Sequence, residues 1–474
     1  MCGIAATIGG TREQVEAMLN AQAARGPDGE GIAQVGAAIL GHRRLAILDP
    51  SPASAQPIRV GPVTLAFAGE VWNYRALREG IERDLGHQFH TTGDAEVFAA
   101  ALARWGIAAL GRIEGMFAAV WTDDSADGGS ALYVARDRFG EIPLHRTSLE
   151  GLFRRPPLIA TEIKALLAAG ADPAEIEWVD PGSVLVVLPE VAHKHWYYGI
   201  TTDRRPGDSW PREYRLHELL GNACQERAIS DVPVCALLSG GLDSSALCAF
   251  LRTLIPGLVV YTAFHDDRSA DLLAARAAAK YLDLELREVF IPEPTAEDLA
   301  YVVRVIEMPY KVQVEIGWPC LVLADRIAYD GFKVAFVGEG SDELWASYGF
   351  SQRLRTNADW ERQREYLVRR QHRMNFARAN KAFLSRGVEP RLPFMHRPLV
   401  EWALGLPRAS IRQRGRPKAI LQDALRGVLP DAIVDRRKLA FQDGLGIKAG
   451  IAARLSDPAA FYHKTWLDTL NGKE

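Results

Sequence analysis

A cysteine directly follows the initiator methionine, so removal of Met1 would leave Cys2 carrying a thiol and a free α-amine on one residue. An α-amine has an unperturbed pKa near 8 and can serve as base for the nucleophile beside it. The other four cysteines, at 224, 235, 248 and 320, make neither a CxxC pair nor a zinc-type cluster with histidine. Far along the chain, Leu238-Ser239-Gly240-Gly241-Leu242-Asp243-Ser244-Ser245 follows an apolar run and opens a helical pattern. Glycines there let the backbone approach an anion, while serine hydroxyls and helix N-terminal N–H groups donate to phosphate oxygens. Asp243 would repel phosphate unless a cation intervenes, which predicts Mg²⁺. The Gly-Lys-Ser ending of a Walker loop is missing. A second acidic loop, Gly338-Glu339-Gly340-Ser341-Asp342-Glu343, follows the apolar residues 333–337, and an anion-repelling loop at a strand end again needs a metal.

Two textures must position these loops. To about residue 196 the chain shows short β-type runs, such as 63–67 and 116–121, broken by Gly, Asp and Pro and interleaved with helical stretches such as 95–105. This predicts layered α and β elements, with sheets packed face to face or under helices. A polar, proline-containing stretch at 201–212 reads as a linker. Beyond it, wholly apolar strands are predicted at 234–238, 258–264, 286–291 and 333–337, alternating with helices at 244–253, 270–281, 295–306 and 319–329. That is the pattern of a doubly wound parallel sheet covered on both faces, which binds ligands beyond its strands' carboxyl ends. After about residue 342 the pattern is mainly helical. The expected fold is therefore α/β and multidomain.

At 474 residues two or three domains are the natural expectation, and 48% hydrophobic with 24% charged residues and a net charge of -3 is ordinary for a globular protein. No nucleic-acid partner is indicated. The basic run Arg412, Arg414, Arg416, Lys418 reads as a solvated or phosphate-facing loop. The odd cysteine count, the lack of an apolar run near 20 residues and the absence of a signal-like N-terminus predict a cytoplasmic protein with no membrane partner.

A family resemblance enters through several strings. Met1-Cys2-Gly3-Ile4-Ala5, Arg25-Gly26-Pro27-Asp28, His42-Arg43-Arg44-Leu45-Ala46-Ile47 and Gly69-Glu70-Val71-Trp72-Asn73-Tyr74 occur in the order seen in class II glutamine amidotransferases. Arg136-Asp137-Arg138-Phe139-Gly140 and Thr161-Glu162-Ile163-Lys164-Ala165-Leu166 continue it. The serine-glycine loop and the acidic loop resemble those of ATP pyrophosphatases, and with Arg378-Ala379-Asn380-Lys381, residues 387–394 and residues 437–444 the whole is similar to glutamine-hydrolysing asparagine synthetases. The resemblance implies an N-terminal nucleophile-type αββα glutaminase domain over 1–200 and a doubly wound ATP-pyrophosphatase domain over 213–474. It implies Cys2 as nucleophile, Arg44 on the glutamine α-carboxylate, Asp94 on its α-ammonium, and Ile47, Gly69 and Glu70 lining the rest of the glutamine site. In the second domain it implies ATP bound by Leu238, Ser239, Gly240, Gly241, Asp243, Ser244, Phe264, Val337 and Gly338, and Mg²⁺ shared by Asp243 and Asp342. Glu339 would support acyl-adenylate formation, and Lys438 would neutralise charge growing on phosphate and oxyanion.

The implied reaction starts with glutamine and a small carboxylic acid acceptor. Ammonia released at Cys2 passes to an acyl-adenylate, giving an amide, AMP and pyrophosphate. A homodimer is compatible with the sequence. Two departures from the family pattern carry consequences. Ala68-Gly69-Glu70 stands where the family reads Asn-Gly-Glu, leaving the oxyanion hole one donor short, a loss that typically costs about 10²–10³ in rate. Residues 308–315 lack the usual Ser/Thr-rich stretch, and Ala346-Ser347 replaces the common Gly-Gly, so a specialised amide ligase or cyclase acting on a non-aspartate acid is the alternative. A non-catalytic regulatory or binding protein that has kept the fold is the rival from another class.

Overall fold

The structure, a computed structural model, describes residues 2–124, 131–150, 155–188, 191–200, 211–413, 416–436, 451 and 454–473. It falls into two units, one of Met1–Gly199 with Leu384–Val388 and Trp466–Glu474, the other of Ile200–Phe383 with Glu389–Thr465.

The first unit holds two six-stranded antiparallel sheets. At the heart of the first sheet, Gly3–Ile8 pairs with Ala38–Arg44, and at the heart of the second, Val63–Val71 pairs with Gly115–Asp123. Helices Arg12–Ala21 and Ile163–Ala168 cover one sheet through a core of Val15, Met18, Leu19, Ile39, Leu158 and Leu166. Helix Asp94–Trp105 packs on the other sheet at Val63–Val71 and Tyr74–Leu85 packs beside it, while the two sheets face each other. The layers are therefore αββα. Strands sandwiched this way are buried on both faces, which is why all six residues of Gly3–Ile8 are buried and the run reads as small and apolar without alternation. Gly69 cannot be anything larger: its φ is +139°, and a Cβ built there would lie 2.0 Å from the Met116 carbonyl oxygen.

In the second unit five parallel strands run in the order Glu285–Phe290, Val259–Phe264, Val234–Leu237, Val334–Phe336, Glu389–Arg391. The first four lie within a residue or so of expectation. Helix Ala296–Ile306 starts behind a capping box of Thr295 and Asp298, and helices Leu242–Leu254 and Ala270–Leu282 sit where predicted. Two features differ. The helix expected from residue 319 begins at Lys311 and runs to Tyr329, with Pro319 inside it. Proline normally marks a helix start because it lacks an N–H, but here buried packing of Val314, Leu321 and Leu323 outweighs one missing bond. Glu389–Arg391 supplies an unforeseen fifth strand, wholly buried although its centre is Pro390, which an edge strand tolerates.

Chain order reverses at Val234–Leu237: the next two strands build to one side, then Val334–Phe336 returns to the other. Crevices at such a switch point are the usual ligand sites of open α/β sheets. Both candidate loops, 238–245 and 338–343, leave the carboxyl ends of these two neighbouring strands. Among the described residues no helix is long and apolar enough to cross a membrane.

Candidate active sites

Cys2 is buried at the start of the first sheet, and its sulfur receives the Leu45 backbone N–H at 3.4 Å. An N–H aimed at sulfur favours the thiolate. Arg25 fixes the Cys2 main chain, its Nε donating to the Cys2 carbonyl at 3.1 Å while Nη1 pairs with Glu162 at 3.1 Å, both side chains being 1% exposed. These residues belong to motif strings to which sequence reasoning gave no role, and they seat the Cys2 main chain. By contrast, burial raises the thiols of Cys224 and Cys320 to about 12 and about 11, and raises those of Cys235 and Cys248 further, so all four stay protonated at neutral pH.

Arg44 follows on strand Ala38–Arg44 and turns Nη1 to the Ser51 carbonyl at 2.7 Å and Nη2 to the Asp49 carbonyl. The guanidinium thus orders the loop that contains buried Ile47 and keeps further N–H groups for a carboxylate. Asp94 opens helix Asp94–Trp105, and its Oδ2 accepts the Val71 N–H at 2.8 Å, which ties that helix to the Gly69-Glu70-Val71 strand end. Glu70 is buried beside it in sequence. Ala68 is fully buried and pairs with Ala118. The Arg-Asp-Arg-Phe-Gly string serves to hold its own turn together. Asp137 accepts backbone N–H groups of Phe139, Glu141 and Ile142 at 3.0–3.2 Å, and Arg136 donates to the Gly140, Ile142 and Val179 carbonyls.

His42 links the two sheets, Nε2–H donating to the Phe67 carbonyl at 3.1 Å. Burial lowers its pKa to about 3, so the folded ring is neutral. An unfolded histidine titrates near 6.5, so the unfolded chain takes up the proton first and stability is lost as pH falls from about 6.5 toward 3. The expected contribution is about 1.4 kcal/mol per pH unit, and His42→Gln should flatten the stability–pH slope by one proton in urea titrations between about pH 7 and pH 5. An unchanged slope would mean that His42 is not the group responsible.

The second site is built at the strand switch. Leu238 and Val337 continue their strands by donating to the Tyr261 carbonyl at 2.8 Å and the Arg391 carbonyl at 3.0 Å. Phe264 ends the next strand with its ring edge-on to Phe290. In the glycine-rich turn, Gly240 has φ +70° and a Cβ there would lie 2.4 Å from the Ala275 nitrogen. Ser239 and Ser244 hold each other, their Oγ atoms 3.0 Å apart, and Ser244 Oγ also receives the Ser239 N–H at 3.1 Å. Gly338 lies against Asp243: a Cβ built on it would be 3.7 Å from the Asp243 Cβ.

Asp243 and Asp342, one from each loop, clasp the same ammonium. Lys418 Nζ lies 2.7 and 2.6 Å from the two Asp243 oxygens, 2.8 Å from Asp342 Oδ1 and 3.1 Å from Ser341 Oγ. Ser341 Oγ in turn donates to Asp243 Oδ1 at 2.8 Å. Both carboxylates thus meet at one cation position, which the Lys418 ammonium takes here and a divalent cation could take in its place. Among the described residues no group of three or more His, Cys, Asp and Glu could hold a metal alone. Mg²⁺ suits such a place, since it is commonly held by one or two carboxylates plus substrate phosphates and waters.

Glu339 is paired with Arg378, which is 2% exposed and also donates to Gln313 Oε1 at 2.7 Å and Asn375 Oδ1 at 3.1 Å. Asn375 Nδ2 reaches Glu343 at 2.9 Å, and Tyr348 OH donates to the same oxygen. Burial, aided by Asp342, pushes the Glu343 carboxyl up to about 7. Ala346 turns the loop with φ +48°, a left-handed conformation that costs an L-residue roughly 1–2 kcal/mol. Ala346→Gly is expected to raise stability by about 0.5–1 kcal/mol, once glycine's greater unfolded freedom is allowed for, as read from the urea midpoint. A fall in stability would show that the side chain is wanted there.

Comparison with known proteins matches a glutamine amidotransferase domain to residues 1–202 and the asparagine synthase family to 215–376 and 355–460. Asparagine synthetase B [glutamine-hydrolyzing] of Escherichia coli (strain K12) is 30% identical over 447 residues, covering 89% of this chain and 77% of its own. This chain belongs to the asparagine synthase family. The glutamine-hydrolysing asparagine synthetase of Sandersonia aurantiaca is 27% identical, covering 96% of this chain and 90% of its own. Asparagine synthetase 2 of Arabidopsis thaliana is 29% identical, with 94% and 79% covered. This asparagine synthase family member thus carries an N-terminal amidotransferase domain ahead of its parallel-sheet domain, and ATP use comes with the family.

Lys438 and its string 437–444 lie outside the described residues. Sequence reasoning assigned Lys418 to a solvated or phosphate-facing basic run, whereas it is 4% exposed and faces carboxylates. No local signal separates it from Arg412 or Arg416; its contact with Asp243 spans 175 positions.

Proposed function

We propose that the protein is a glutamine-dependent amidotransferase. Residues 1–200 would release ammonia from glutamine at Cys2. Residues 213–474 would use ATP to adenylate a small carboxylic acid, aspartate or a relative, for conversion to asparagine or another amide. The observation that carries this reading is the pair Asp243 and Asp342, brought from two neighbouring strand ends onto one cation position. Such a cradle suits Mg²⁺ arriving with nucleotide phosphates, where it would offset charge on the departing pyrophosphate.

In the first step the Cys2 sulfur attacks the glutamine amide carbon, assisted by the Leu45 N–H and, after removal of Met1, by the α-amine as base. The C–N bond breaks, ammonia leaves with the proton, and water hydrolyses the thioester to glutamate. In the second domain the Ser239 and Ser244 hydroxyls and the backbone at Gly240 and Gly241 would receive phosphate oxygens. Glu339, held by Arg378, would face the reacting carboxylate and phosphate, with Lys438 supplying positive charge. The cytoplasm is the proposed compartment, in keeping with five buried cysteines that form no disulfide.

A non-aspartate acceptor is the second reading. It draws on residues 308–315, where Gln313 joins the Arg378 network and buried Glu315 pairs with Lys311, and on Ser347. Pyrophosphate release measured with Mg-ATP and a panel of carboxylic acids tests both. Acid-dependent release is expected. No release with any acid overturns the ligase reading, and a clear kcat/KM preference for aspartate removes the second.

Ala68→Asn tests the first site. Restoring the missing donor should speed glutamate release by at most about 10²–10³, and by less if the shell no longer holds the amide about 3 Å from the new donor. Ala68 is fully buried, so an asparagine that finds no partner there would cost about 1–3 kcal/mol of stability. Ammonia-dependent synthesis should not change. No gain with or without ATP and acceptor would mean that another group already fills the oxyanion role or that the pocket no longer hydrolyses glutamine.

A further inference from the structure

We infer that Ser347 is a positioning residue for the metal–nucleotide site, aiming the Asp342 carboxylate through a hydrogen bond from its own hydroxyl. The inference rests on the proposed reading of Asp243 and Asp342 as the metal carboxylates.

The short turn after Val334–Phe336 closes on itself. Leu344 N–H donates to the Gly340 carbonyl, Trp345 N–H to the Ser341 carbonyl and Ser347 N–H to the Asp342 carbonyl, each at 3.0 Å. Ser347 therefore addresses Asp342 twice, through its backbone and through Oγ, which donates to Asp342 Oδ1. Ser347 as a whole is 9% exposed, so solvent competes little for its hydroxyl. Ala346, with φ +48°, supplies the reversal that brings residue 347 back toward 342.

The same Oδ1 also meets Lys418 Nζ at 2.8 Å, and that ammonium is 2.6 Å from Asp243. An ammonium and a divalent cation cannot share this position, so Lys418 must withdraw when metal arrives. Asp342 then loses a partner that helped to fix its orientation, whereas Ser347, five residues away on the same turn, stays with it. Groups hydrogen-bonded to a metal-binding carboxylate set its orientation and thereby the affinity of the site. Neither glycine of the common Gly-Gly pair could make this bond, having no hydroxyl.

The test uses the full chain, Mn²⁺ as a paramagnetic stand-in, and a non-hydrolysable ATP analogue, with free Mn²⁺ followed by electron paramagnetic resonance. Ser347→Ala should weaken Mn²⁺ binding about tenfold, the lower end of the 10–100-fold typical for such partners. Ser347→Thr, which keeps the hydroxyl, should restore most of it, and analogue binding without metal should not move in either variant. Wild-type Mn²⁺ affinity in Ser347→Ala, with the fold intact by thermal denaturation, overturns the inference and leaves the metal reading standing. Failure of the wild type to bind Mn²⁺ with the analogue, or undiminished binding by Asp342→Asn, overturns the metal reading itself and this inference with it.

Discussion

Replacing Cys2 with alanine is expected to abolish glutamine-dependent product while leaving ammonia-dependent product largely intact. The alanine keeps the main-chain carbonyl that Arg25 holds and the strand pairing of Gly3–Ile8, so the fold should survive. What disappears is the sulfur that meets the Leu45 N–H, and with it the thioester route. Removing a covalent nucleophile from an intact site typically costs on the order of 10⁴–10⁶ in rate. No other cysteine is placed to substitute, because burial keeps the remaining four thiols protonated. Glutamate release and amide formation, each measured with glutamine and with ammonium chloride, decide the matter. Equal loss with both nitrogen sources would sink the assignment of two separate chemistries.

The second large effect is expected at the carboxylate pair. Asp342→Asn keeps the volume and an oxygen that can still accept from Ser347, but removes a full charge from the cradle. Asp243→Asn does the same on the facing loop and weakens its contacts with Ser341 and Lys418. Either change should lower acid-dependent pyrophosphate release by about 100-fold or more, since the charge on the departing pyrophosphate would lose a metal-binding partner. Folding should persist, because Lys418 retains one carboxylate, and the lost compensation costs about 1–3 kcal/mol. Pyrophosphate release at the wild-type rate in both variants would falsify the assignment of these two residues.

Legibility followed the range of the interactions involved. Strands such as Val259–Phe264 and helices such as Ala270–Leu282 could be read from local runs, because burial on both sheet faces demands continuous apolar sequence. The turn at Ser239 to Ser244 could be read for a related reason: Gly240 must be glycine wherever the backbone takes φ +70° against Ala275, and short-range geometry writes itself into residue type. Pro319 and the strand Glu389–Arg391 ran against local preference. Packing inside the helix and pairing at the sheet edge outweighed a missing N–H in each case.

The sequence by itself thus determined the parallel-sheet architecture and singled out Cys2 and the two acidic loops as the candidate site residues. Only the tertiary structure decided which cation the chain supplies from within itself. Lys418 looks like its basic neighbours in sequence, and it becomes a partner of Asp243 and Asp342 because folding carries the start of helix Ala419–Leu425 to the sheet's switch point. Arg25 with Glu162 and Arg378 with Glu339 follow the same rule. A charge's partner is set by proximity in space and by the water excluded around it, and neither is encoded in the residues adjacent to it along the chain.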